Sequence, residues 1–114
     1  MKKIYNLLGI AQRAGKLSAG TMAAQNSLMR HRAVLLILSE DISDNSREAL
    51  LSSSNRHGIP AIAIGNKNDL GTALGKAYRV AVTINDIGMA QAIMNELAVS
   101  GQEIKSMGVV EWPK

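Results

Sequence analysis

The run Ala33-Val34-Leu35-Leu36-Ile37-Leu38 constrains the fold more than any other stretch of the chain. Unbroken apolar character over this length, without alternation, describes a strand buried on both faces. Such a strand needs a packed layer above it and another below it. It is also far too short to span a bilayer.

The flanking patterns supply those layers. Ile4, Leu7, Leu8, Ala11 and Ala14 follow helical spacing, and Gly15 ends that helix. Lys16-Leu17-Ser18 is extended or a short strand, and Gly20-Thr21 opens a second helix reaching about Met29 or Arg30. After the central strand, Ser39 to Ser43 is a loop. Ser43 or Asp44 then caps a third helix that runs to about His57 and stops at Gly58, with Pro60 beyond. Ala61 to Ile64 is a short strand, and residues near Leu70 to Leu74 form a short helix closed by Gly75. Val80, Val82 and Ile84 alternate as a further strand. Asp86 caps a last helix carrying Ile87, Ala90, Ile93, Met94 and Leu97. The expected fold is a three-layer α/β/α sandwich with a mixed sheet of about four strands. It is one domain over residues 1–100, followed by a tail, 101–114, that is mobile unless Trp112 pins it.

The chain of 114 residues is 46% apolar, enough for a real core without disulfides or metal. It has no cysteine, which excludes thiolate metal sites and cysteine nucleophiles. Its N-terminus lacks a continuous apolar segment with a cleavage site, and the expected location is cytoplasmic, with no membrane contact. A net charge of +4 and a pI of about 9.7 favour a polyanionic partner.

Enzymatic chemistry finds little support. Glu40 and Asp41 follow the central strand, where α/β sheets place functional groups, yet Met1 to Arg32 contains no carboxylate to complete a metal or phosphoacceptor site. The preferred reading is that Glu40, Asp41 and Asp44 complement the dipole at the start of the third helix, which leaves RNA contact by the same loop open. Gly65, Gly71 and Gly75 match no phosphate-loop pattern, and Ala77 stands where Gly75-Lys76 would need Ser or Thr. His31 and His57 sit at helix ends beside arginines, outside any metal-ligand spacing. No catalytic residue, metal or cofactor is expected. The basic groups say more: Arg13, Lys16, Arg30 and Arg32 flank the first two helices. Lys76-Ala77-Tyr78-Arg79 joins cations for phosphate to a ring for base stacking.

Several stretches resemble the ribosomal protein L-seven-Ae/L-thirty-e family of kink-turn RNA binders, most closely its bacterial YlxQ-type members. These are Leu7 to Lys16, Gly20-Thr21, Ala33 to Asp41 (AVLLILSED), His57-Gly58-Ile59-Pro60 and Leu70 to Val80 (LGTALGKAYRV). The resemblance covers about residues 4 to 98. It implies an α/β/α sandwich and a non-catalytic, monomeric RNA-binding protein, ribosome-associated or acting in RNA processing, with ribosome or translation-factor contact. It places the RNA site on three neighbouring loops. The expected RNA-contact residues are Gly20, Thr21, Asn26, Ser39, Glu40, Asp41, Ile42, Tyr78 and Arg79, joined by Lys16 and Lys76, which with Arg79 should form a positive face. After Gly-Thr the family usually carries Asn-Glu or Lys-Gln and then a Lys, which read tandem sheared G·A pairs. Here Met22, Ala23 and Asn26 replace them, removing base-edge contacts worth about 1–3 kcal/mol each. The alternative is a protein-interaction module on the same fold, with an apolar patch at Met22, Ala23 and Ile42.

Overall fold

The computed structural model describes residues 2–100, 105–108 and 110–112. In chain order the elements are α1 (Lys2–Arg13), β1 (Leu17–Ala19), α2 (Thr21–Met29), β2 (Leu35–Leu38) and α3 (Asp44–Arg56). They continue as β3 (Ala61–Ala63), α4 (Lys67–Ala73), β4 (Ala81–Ile84), α5 (Ile87–Val99) and β5 (Lys105–Ser106). The sheet order is β1-β4-β2-β3-β5. β2 and β3 are parallel, and the other pairings are antiparallel. The expected mixed four-stranded sheet is present, extended at one edge by the two-residue β5.

β2 lies at the centre, and every one of its residues is buried. Leu35 and Ile37 face one core with Ile4 and Leu8 of α1, Leu70 of α4, and Ile93 and Leu97 of α5. Leu36 and Leu38 face the other core with Ala24 and Leu28 of α2 and Leu50 of α3. The strand therefore has no polar alternation because neither face meets water. β4 is likewise buried throughout, although it includes one polar residue, Thr83, whose hydroxyl donates to Asn85 Oδ1. Its Val82 and Ile84 join the first core and Ala81 the second, while Val80, read as the strand's first residue, is half-buried just before it.

The helix ends follow local rules. Ser43, Asn66 and Asp86 each accept a backbone N–H from three residues on, capping α3, α4 and α5. Within the segment read as a tail, Lys105–Ser106 pairs with β3 and Trp112 packs against the first core.

Two-sided burial has a measurable consequence. Leu36→Ala and Ile37→Ala point to opposite faces, and each should cost about 2–5 kcal/mol in denaturant unfolding. A strand with one solvated face would tolerate one of the two.

Candidate nucleic-acid interface

Three segments meet at the end of the sheet where β2 stops and β4 begins. The first is the start of α2. Gly20 has φ 104°, a backbone conformation that side chains disfavour, and its N–H donates to the Ala81 carbonyl at 2.8 Å. No side chain caps α2, so its first-turn N–H groups stay available to an acceptor.

The second segment is the 39–43 loop. Its backbone is tied to the start of α4: the Glu40 N–H donates to the Gly65 carbonyl at 2.9 Å, and Asp41 Oδ1 accepts from the Lys67 N–H at 3.0 Å. Asp41 thus serves the N-terminus of α4 rather than α3, whose first turn holds Asp44 instead. Desolvation pushes the Asp41 carboxyl up. The Ser39 hydroxyl, the Lys67 and Asp41 N–H groups and the Lys67 charge outweigh it and hold the carboxyl below its ordinary value. Ser39 Oγ is buried and makes no hydrogen bond of acceptable geometry, so it acts on Asp41 as a nearby dipole.

The third segment is the 75–80 loop. Tyr78 is 56% exposed, with Lys67 Nζ 5.7 Å from its ring centroid, a cation–π pair. Arg79 lies over Gly20, 3.8 Å from where a Cβ would stand. Arg79 Nη1 donates to the Tyr78 carbonyl at 2.6 Å, while its buried Nε–H has no acceptor. Gly20, Thr21, Met22, Tyr78 and Arg79 line one open groove. Among the described residues Lys67, Lys76 and Arg79 form no ion pair with a carboxylate.

The sequence-derived residues divide accordingly. Gly20, Thr21, Tyr78 and Arg79 come together at this groove, with Lys76 exposed on the adjoining loop. Ser39 and Ile42 are buried and shape the 39–43 loop from beneath, while Glu40 and Asp41 are at its surface. Burial of Ile42 also removes it from the expected apolar patch, leaving Met22 exposed and Ala23 half-buried. Asn26 lies further along α2. Lys16 sits at the other end of β1, 3.8 Å from Asp86 and apart from the groove at Gly20 and Arg79.

Lys67 was not among the residues read from the sequence as RNA-contacting, and Gly71 was read only as a cap or turn glycine, though each carries a local signal. A lysine in a helix's first turn opposes the dipole, and a glycine inside a helix is a poor helix former. Gly71 is buried against the Tyr78 backbone. A Cβ there would come within 2.7 Å of Tyr78 N and overlap Tyr78 Cα.

The sequence matches the Ribosomal protein L7Ae/L30e/S12e/Gadd45 family over residues 2–94. The chain belongs to this family. It is 31% identical to the RNA-binding protein YlxQ of Bacillus subtilis (strain 168) over 93 residues, 82% of this chain and 93% of that protein. A solved protein of unknown function from Bacillus halodurans C superposes with TM-score 0.78 at 30% identity, covering 84% of this chain and 97% of its own. The Giardia lamblia 15.5kD RNA binding protein shares the fold at TM-score 0.66 and 22% identity, covering 83% and 82%. The start of α2 and the loop before β4, which line the groove, are two of the stretches that carried the resemblance.

Two outcomes follow from the geometry. Gly71→Ala should displace the Tyr78 loop and destabilise the fold by about 1–3 kcal/mol, measured by denaturant unfolding and by altered amide shifts at residues 76–80. Asp41 has a lowered folded pKa, so its stabilising effect is present above the ordinary value of 3.8 and is lost as pH falls through the folded value. The melting temperatures of wild type and Asp41→Asn should therefore differ near neutrality and converge as pH drops below that value.

Proposed function

We propose that this chain is a non-catalytic RNA-binding protein whose RNA-contact face is the groove between the start of α2 and the Tyr78–Arg79 loop. One observation carries the reading. Arg79 holds a buried Nε–H with no acceptor at the rim of a groove that also offers an exposed tyrosine and uncapped helix N–H groups. A buried unpaired donor is costly unless a ligand satisfies it. A phosphate or base-edge oxygen would do so. The name of the Bacillus subtilis relative, an RNA-binding protein, agrees with this.

Each group then has a distinct role. Tyr78, backed by Lys67, stacks on an unpaired base, a contact worth about 1–3 kcal/mol. Arg79, Lys67 and Lys76 neutralise phosphates, and the α2 N-terminus receives a phosphate or base edge. Met22 and Ala23 stand where base-reading polar side chains are usual in the family, so G·A pairs are read weakly and the affinity is largely electrostatic. Structured RNA, kink-turn-like or ribosomal, is the expected partner of a cytoplasmic monomer. Among the described residues no helix is long and apolar enough to cross a membrane.

The test is binding of purified protein to a kink-turn RNA with its G·A pairs intact or mutated, at two salt concentrations. The expected result is salt-sensitive binding that changes little when the pairs are mutated. Tyr78→Ala and Arg79→Ala should each weaken binding roughly tenfold with the fold intact, and normal binding by both would refute the assigned face. No binding of wild type at low salt would favour a protein-interaction module instead.

A further inference from the structure

The groove at Gly20 and Arg79 does not end at the first turn of α2. At Ala23 it meets a second concavity lined by Ser18, Asn26, Ser27, Arg30 and Arg32. Both run along the seam between α2 and β1, which is an edge strand of the sheet. The second concavity has a firm floor. Ser27 Oγ donates to Asn85 Oδ1 at 2.7 Å, Thr83 Oγ1 donates to the same oxygen at 3.0 Å, and Asn85 Nδ2 donates to Ser18 Oγ at 2.9 Å.

Charge on this seam is one-sided. The first acidic residue of the whole chain is Glu40, so neither β1 nor α2 contributes a carboxylate. Arg30 and Arg32 are both exposed, and among the described residues neither forms an ion pair. Two unneutralised guanidinium groups over a wall of hydroxyl and amide groups suit a phosphodiester backbone, because arginine's fork matches phosphate oxygens. The helical rise puts Arg30 about 14 Å from Thr21, the length of a few nucleotides of backbone.

We infer that Arg30 and Arg32 form a second phosphate-contact point, so that an RNA strand held at Tyr78 and Arg79 continues along the α2–β1 seam. The inference rests on the RNA reading of the primary groove. It makes the footprint longer than the three-loop site and places non-specific affinity where base-reading side chains are missing.

The test uses the full chain carrying Arg30→Gln and Arg32→Gln together. The probes are two versions of the same kink-turn RNA, one with long stems and one trimmed to the base pairs flanking the kink. Both arginines are exposed and unpaired, so the thermal melt should match wild type. On the long-stemmed RNA the double variant should lose about tenfold in affinity at about 100 mM salt, and its slope of log Kd against log salt should fall by about two. On the trimmed RNA it should match wild type, whereas Tyr78→Ala should weaken both probes. Unchanged affinity and slope on the long RNA would overturn the second contact while leaving the primary groove intact. Equal losses on both RNAs would also overturn it, because the arginines would then act at the primary groove. Failure of wild type to bind either probe would overturn the RNA reading itself, and the second contact with it.

Discussion

Burial of β2 on both faces organises everything else in this molecule. Leu35 and Ile37 recruit α1, α4 and α5 to one side, and Leu36 and Leu38 recruit α2 and α3 to the other. Each layer is held by nonpolar contact that is worth about 25 cal/mol per Å² removed from water. With the strand fixed between two layers, its exit is fixed too. The 39–43 loop must emerge beside the end of β3 and the start of β4, and the Gly20 N–H bonded to Ala81 brings the start of α2 to the same place. The groove at this end of the sheet is therefore placed by a core built mainly of nonpolar side chains.

That dependence explains which parts were legible in the sequence. Apolar runs, caps and glycine stops are local signals, and they located most helices and strands within a residue or two; α4 starts at Lys67 rather than near Leu70, and β5 lies in the segment read as a tail. The recruitment of Gly20, Tyr78 and Arg79 into one groove came through the family resemblance, since nothing local joins residues so far apart in the chain. Lys16 lies apart from the groove for a related reason. It is close to Gly20 in sequence, but an extended strand carries it to the opposite end of β1, where Asp86 takes its charge. Ile42 looked like a surface apolar residue because it lies in a polar loop, yet the loop folds it into the second core. Asp41 looked like a partner for the following helix and instead holds the Lys67 N–H. Only tertiary contact distinguishes these alternatives.

The same tertiary contacts give the site its stiffness. Gly71 lets the Tyr78 backbone lie directly against α4, and Lys67 meets both Asp41 through its N–H and the Tyr78 ring through its ammonium. Loop, helix start and aromatic ring are thereby positioned together before any ligand arrives. Preorganisation of this kind reduces the ordering cost of binding. Under the proposed RNA reading, it offsets part of what Met22 and Ala23 cost at positions where the family resemblance implies base-reading polar side chains. On this view, affinity comes from a pre-set aromatic and cationic face, with less sequence discrimination than a polar α2 would supply.

The most direct measurement is an NMR titration of isotopically labelled protein with a kink-turn RNA at low salt, following every backbone amide. Perturbations concentrated at residues 20–32, 39–43, 67 and 76–80, with α1 and α5 unaffected, are the expected result. Perturbations centred on α1 and α5, or none at all, would contradict the assignment of this end of the sheet as the RNA-contact face.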